Sequence, residues 1–361
     1  MSRKTRVLII FGVLALILFG IVFHYRITHR PDNAIHIGAI LPLTGQFANA
    51  GNAVRAGLEF AAEKINAKFP NRISIDYYDT KSEAKNAIMG YNRLKSLLGI
   101  HIFFTTLSDH SLILKPMVIK EDDILFCIAS HSEILNDAQK CIFQLADTSK
   151  DEAECLCDAI NSSSNLNRVY YYGLNTDAGI DFERTFHARL GNRLVGSSFY
   201  DDNYEMIKNI IAQNSNKQLD CILVVGYAPA MGYLIRTVRE SGYEGPIWAN
   251  VGYNTKSVIE SAGAFATTVH YVDYDFPYAS ACHHEYDTRA RQQFGTSYNA
   301  LSYLAMGGEN IVNELIHGNL NEFKNQLLQD REFVFDDVKF KTSPTGSITV
   351  NLILTSLSGD N

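Results

Sequence analysis

Few residues of this chain have the type and spacing to do chemistry, and the clearest is Ser108. It stands just past the strand-like run 101–106 and just ahead of the helical run 111–120. A hydroxyl beside the free backbone N–H groups of a helix start is a ready site for an anion such as a carboxylate. The plainer role for the same residue is a helix N-cap. The remaining reactive residues form no catalytic set. There is no glycine-rich phosphate loop and no G-x-S-x-G elbow. His283-His284-Glu285 lacks the i, i+4 histidine pair of a helical metal site and reads as a solvated helix start. The cysteines, Cys127, Cys141, Cys155, Cys157, Cys221 and Cys282, fit no zinc module. The residue types therefore favour binding over catalysis, with no cofactor and no metal.

The elements that would position such a site are legible. Ile35, Ile37, Ala39, Ile40 and Leu41 make a short apolar run without helical period, as in a strand covered on both faces. A loop bearing Gly45 and Gly51 follows, and then Val54, Gly57, Leu58, Ala61 and Ile65 fall on one helical face. The loop at the carboxyl end of a parallel strand is where open α/β sheets bind ligands. Strand-like and helical runs then alternate from residue 73 to residue 262, which predicts parallel sheets with helices on both faces. After Tyr271 the alternation breaks. Two helices are expected over 281–293 and 296–317, and two strand-like runs lie around Pro344-Thr345-Gly346.

The chain has 361 residues, 46% of them hydrophobic, enough for two domain-sized cores. Its net charge of −7 and the lack of a basic block argue against nucleic acid as a partner. The unbroken apolar run Val7–Phe23 follows Arg3, Lys4 and Arg6 and precedes His24-Tyr25-Arg26, with no small-residue cleavage site. This predicts an uncleaved signal anchor over residues 1–30 rather than a removed signal peptide, with the folded part outside the cytoplasm. Cys127 and Cys141 flank a loop that a disulfide could close, and two buried free thiols fit the sequence as well.

Five blocks, in this order, resemble the type I periplasmic binding proteins of the leucine/isoleucine/valine-binding kind. They are Gly38–Gly45 with Glu63–Asn66; Asp79 with Ala87 and Leu94; Ser108 with Pro116 and Cys127–His131; Val224–Tyr227 with Pro229, Met231 and Gly232; and Phe335-Asp336 with Pro344–Gly346. The resemblance implies an α/β fold of two αβα lobes with parallel sheets joined by a three-strand hinge, here preceded by one N-terminal transmembrane helix. Lobe one would take residues 34–145 and 275–334, and lobe two residues 146–274 and 335–361. The chain would cross near Gln144–Ala146, Tyr274–Phe276 and Val334–Asp336, and a small-molecule ligand would be buried by hinge closure.

The resemblance also implies roles for single residues. Ser108 would hold a ligand carboxylate. Ala129, Ser130 and His131 match a loop whose backbone grips an amino acid's two charged groups. His131 stands where a small hydroxyl residue is usual and would favour an anion if charged, the alternative being a solvated loop histidine. Tyr227 and Tyr298 match cleft aromatics, with the core as the alternative for either. The family's acceptor for the ligand's ammonium falls at Val251, leaving Asn250, Asn254 or Asp177 as polar substitutes. Further departures are Ala178 and Ala50, where the family has aromatics. An ammonium without a partner is costly to bury, so these changes favour a neutral or carboxylate-bearing ligand. The expected function is capture of an amino acid, amide or related carboxylate for ABC-type uptake through a permease. The alternative is a membrane-anchored sensing or degenerate domain that acts through a partner receptor. The expected location is the periplasmic side of the inner membrane, or the periplasm after cleavage.

Overall fold

A computed structural model describes residues 34–138 and 140–357. The expected anchor, residues 1–30, lies outside the described residues. Among those described, no helix is long and apolar enough to cross a membrane.

The chain opens with alternating elements: β1 (Ile35–Leu41), α1 (Ala48–Lys68), β2 (Ile73–Asp79), α2 (Ala84–Leu98), β3 (Ile102–Thr106), α3 (Ser108–Lys120), β4 (Ile124–Ile128) and β5 (Ile142–Gln144). The strands form one parallel sheet in the order β2-β1-β3-β4-β5. A second series follows: α4 (Ser149–Asn161), β6 (Val169–Leu174), α5 (Asp177–Leu190), β7 (Leu194–Tyr200), α6 (Tyr204–Asn214), β8 (Cys221–Val225), α7 (Ala228–Glu240), β9 (Ile247–Ala249), α8 (Lys256–Ala262) and β10 (Val269–Tyr274). Next come α9 (Ala281–Phe294), α10 (Ala300–Leu315), α11 (Leu320–Leu327), β11 (Arg331–Phe335), β12 (Val338–Thr342), β13 (Ile348–Val350) and β14 (Leu352–Ser356). The second sheet runs β14-β10-β9-β8-β6-β7, parallel except that β14 is antiparallel to β10. Apolar cores lie on both faces of each large sheet, which explains why strands such as β3, β4 and β8 are buried end to end.

The chain passes between the lobes at Leu145–Thr148, again at Asp275–Phe276, and a third time at Asn351, between β13 and β14. The third passage corrects the expected crossing at Val334–Asp336 and the assignment of residues 335–350 to the second lobe. Asp336 and Asp337 both take positive φ (48° and 66°), the backbone of a tight hairpin turn, so β11 folds back on β12. Asp336 is held on the first lobe by Lys64 Nζ at 2.7 Å and by the Tyr286 hydroxyl at 3.0 Å. Phe333, Val338, Phe340, Ile348 and Val350 then pack into the first lobe's core.

α1 and α10 pack closely because Gly57 has no side chain. A Cβ there would stand 2.0 Å from the Ser302 carbonyl oxygen, while Ser302 Oγ donates to the Ala53 carbonyl at 2.7 Å. Beside this contact Glu309 is fully buried, and neither carboxyl oxygen has a hydrogen-bond partner. Burial and the nearby Glu59 raise its pKa well above 4.5, so the folded protein holds a proton that the unfolded chain releases. Stability should therefore fall as pH rises above about 4.5. Glu309→Met is expected to stabilise by about 1–3 kcal/mol at neutral pH, with a smaller gain in acid. Urea unfolding midpoints at two pH values check this, and a destabilised variant would contradict it.

Candidate functional site

The first loops of lobe one are organised by Asp79 at the end of β2. Its carboxylate accepts the backbone N–H groups of Leu43 (3.0 Å), Thr44 (3.1 Å) and Lys81 (2.8 Å), and the Thr44 hydroxyl at 2.6 Å. Burial works against its charge, yet the bonds from Thr44, Lys81 and Leu43 hold its pKa below the usual carboxylate value. Two strands over, past β1, Leu107 at the end of β3 takes φ 73° and ψ 140°, a conformation disfavoured for leucine, and α3 begins at Ser108. Ser108 is thus the first helical residue and not the cap, the cap position Leu107 offers no side-chain acceptor, and Asp109 Oδ1 accepts the His110 N–H at 2.8 Å. Buried His110 links this helix start to β2, with Nδ1 2.8 Å from Asp109 Oδ1 and Nε2 2.9 Å from Thr80 Oγ1.

Ser108 follows β3, and Ala129–His131 follow the adjacent β4. Tyr227 and Asn250 follow the adjacent strands β8 and β9 of the other sheet. The first turn of α4 connects the two sets. The Ser149 N–H donates to the Ser130 carbonyl at 3.3 Å, and Glu152 Oε2 accepts the Val251 N–H at 3.1 Å. Val251 itself packs against the cores of both lobes.

Several expected residues are brought to this face in roles other than those expected. Gln144 Nε2 donates to the Ala129 carbonyl at 2.6 Å and to the His131 carbonyl at 3.3 Å, so a buried side-chain amide already occupies the backbone acceptors of that loop. His131 turns its Nδ1 to the Glu133 N–H at 3.2 Å and caps a single 3₁₀ turn, Ser132–Leu135. Asn250 is nearly buried, and its Oδ1 accepts the Gly226 N–H at 3.0 Å, making it a brace rather than a surface group. Asn254 bonds Asp273 Oδ2 at 2.6 Å. Tyr227 is the exposed member, half open to solvent at the start of α7. Asp177 opens α5. Tyr298 corrects a sequence expectation. It is 1% exposed, stacks on Phe60, packs against Tyr286 and Tyr303, and points its hydroxyl at Met306 Sδ, so it belongs to the core of lobe one. Cys127 forms no disulfide, and burial pushes its thiol up to about 12.

Sequence reasoning missed the acids beneath this face. Glu152 is buried in the first turn of α4. Burial, with Asp147 and Asp151 nearby, pushes its pKa up to about 8 against hydrogen bonds from Val251 and Asn250. Asp147, buried in the first crossing, is pushed up to about 7 by burial and by Asp151. The only sequence signal for either was a carboxylate at or near a helix start, which capping explains equally well. Indeed Thr148 and Asp151 form a capping box there.

The sequence pattern of the family described as "Periplasmic binding protein" matches residues 34–316, and the chain belongs to that family. No curated protein matches it significantly. Among solved structures it resembles the LivJ branched-chain amino acid substrate-binding protein of Streptococcus pneumoniae in complex with isoleucine (18% identity, TM-score 0.71, covering 89% of this chain and 100% of that one). It also resembles an ABC-transporter solute-binding protein of R. palustris in complex with benzoate (16%, 0.72, 90% and 94%). A third similar structure is the closed leucine-, isoleucine-, valine-, threonine- and alanine-binding protein of Brucella ovis (14%, 0.79, 91% and 90%). At these identities the likeness establishes the two-lobe fold.

The hydrogen bonds predict which substitutions disturb the fold. Gln144→Ala leaves the Ala129 and His131 carbonyls without their donor and should cost about 1–3 kcal/mol. Tyr227→Ala, at an exposed position, should stay within about 0.5 kcal/mol of the parent. Paired denaturant titrations measure both, and equal losses would mean that Gln144 does not hold this loop.

Proposed function

We propose that the protein is an extracytoplasmic solute-binding component of ABC-type uptake that captures a small carboxylate between its lobes, and that it is not an enzyme. The observation that carries this reading is the contrast between the two walls. Lobe one offers the start of α3 at Ser108, where the Asp109 carboxylate takes the His110 N–H, and where the Ser108 hydroxyl with the first backbone N–H groups suits a carboxylate. Against an ammonium, Val251 stands where the relatives' acidic acceptor is expected, Gln144 occupies the Ala129 carbonyl, and Glu152 is kept neutral near pH 7. Burying an unpaired ammonium costs several kcal/mol, more than an aliphatic contact returns. The benzoate bound by the R. palustris relative is a carboxylate of this class.

Calorimetric titration with leucine, its deaminated keto acid and benzoate tests the reading. The carboxylates lacking an amine should bind more tightly, and Ser108→Ala should weaken them about 10- to 100-fold, as for a hydrogen bond to a charged group. Tight leucine binding with no keto-acid binding would overturn it. Asp177 remains a candidate ammonium acceptor in that event.

A membrane-tethered form, acting as a sensor through a partner receptor, is the second reading, favoured by the apolar run Val7–Phe23. N-terminal sequencing of the protein from its native host decides it. A start at Met1 or Ser2 supports the tether, and a start between residues 24 and 34 removes it.

A further inference from the structure

Asp147 lies buried in the first passage between the lobes. Its backbone N–H faces the Tyr274 hydroxyl at the end of β10, just ahead of the second passage, and its carboxyl faces the Val350 N–H at the end of β13, just ahead of the third. The second and third are also joined directly, Asp275 N–H to the Asn351 carbonyl at 2.9 Å. One carboxyl oxygen of Asp147 has no partner although the residue is 96% buried. Five residues on, Glu152 holds the second lobe's wall. It takes the Val251 N–H and faces the Asn250 amide, and Asn250 Oδ1 holds the Gly226 N–H ahead of Tyr227. The loops it ties are in close contact, since a Cβ on Gly252 would stand 2.0 Å from the Gly226 carbonyl oxygen. One acid therefore lies buried at the hinge, the other braces the wall, and they influence each other.

We propose that Asp147 and Glu152 form a proton-linked latch, in which a proton held on the pair keeps the hinge and the Asn250–Val251 wall in the arrangement that binds solute. Glu152 is faced by Asp147 and Asp151, by the Asn250 amide and the Val251 N–H, and by Tyr274 from the second passage. Asp147 is faced by Asp151, the Val350 N–H and Tyr274. The charged neighbours are thus acids, so loss of the last proton places two like charges in a buried site. Both groups are raised in the folded chain. The fold therefore binds protons that the unfolded chain lacks, and stability falls as pH climbs from the ordinary carboxylate range to the folded values. Glu152 acts here as a positioning residue, through Asn250 and Val251. Its effect on solute binding rests on the reading given above, whereas its effect on stability does not.

The test is thermal unfolding of the ligand-free full chain from about pH 6 to about pH 8.5, for the parent, Glu152→Gln and Asp147→Asn. The parent should lose several degrees across this range. Each neutral amide variant should flatten the profile, and Glu152→Gln should keep the loop bonds that a carboxyl makes. Profiles parallel to the parent would overturn the latch, because a purely structural role would lower all points equally. If either variant fails to fold, a carbon-13 titration of the parent's labelled carboxyls decides. Titration of the assigned Asp147 and Glu152 carboxyls near neutral pH supports the latch, and ordinary acidic titration of both overturns it. In a second arm, benzoate and the keto acid of leucine are titrated at both pH extremes, with about tenfold weaker binding expected at the higher pH in the parent alone. Flattened unfolding profiles with no binding of either probe would support the latch while removing the solute reading.

Discussion

The constraint on which the rest of the molecule depends is the joint where its chain passes between the lobes. A chain that builds one parallel sheet, leaves it, builds a second and returns must cross between them three times, and the crossings have no sheet of their own to hold them. The second and third are joined by the Asp275 N–H to the Asn351 carbonyl at 2.9 Å, and Asp147, buried in the first, faces the strand ends that lead into both. Hydrogen bonds inside a protein are worth more than at its surface, and an unpaired group there costs correspondingly more. A carboxyl in this place is therefore both a strong fastener and a sensitive one. Its burial keeps water away from the joint and favours its neutral form.

From that joint the order of the chain determines the walls of the cleft. The first turn of α4 follows directly, so its backbone reaches the Ser130 carbonyl on one lobe while Glu152 reaches Val251 on the other. The same economy explains Gln144, the last residue of β5. Its amide lies under the loop after β4 because β4 and β5 are paired at Cys127 and Gln144. Both side chains support loops that carry the candidate ligand contacts, and neither needs to touch a ligand. On such a scaffold backbone groups can form the site, and the side chains beneath them set its polarity.

The fold was largely legible because its strands are short, apolar and regularly spaced, and its helices carry one-sided apolar faces. What escaped was set by contacts distant in sequence. The Asp336-Asp337 turn lacks the asparagine–glycine pair that advertises a hairpin, so the end of β11 resembled a crossing. Tyr298 has the composition of a cleft aromatic, and only the packing of α1 against α9 and α10 shows it enclosed by Phe60, Tyr286 and Tyr303. Ser108, Tyr227 and the loop after β4 could be singled out from the sequence because they follow strand ends, a local property. Glu152 and Asp147 were not, because a carboxylate near a helix start is ordinary, and burial is what makes these two unusual.

The two walls differ in what they can offer a solute. Lobe one presents donors, fixed by a helix start whose cap is the backbone of Leu107 and by loops that Asp79 gathers through four hydrogen bonds. Lobe two presents an aromatic ring at Tyr227 and an aliphatic side chain at Val251, with its carboxyl and amide turned inward to brace the loops. A fixed array of donors is worth most to a group that is already charged, because it replaces water without having to reorganise. A wall without an ionised acceptor gives no comparable return to a cation, which would lose its hydration unrepaid. The selectivity of such a cleft comes as much from the partner it withholds as from the one it provides. In the carboxylate reading proposed above, the withholding rests on three residues: Val251, Gln144 and Glu152, whose burial favours its neutral form.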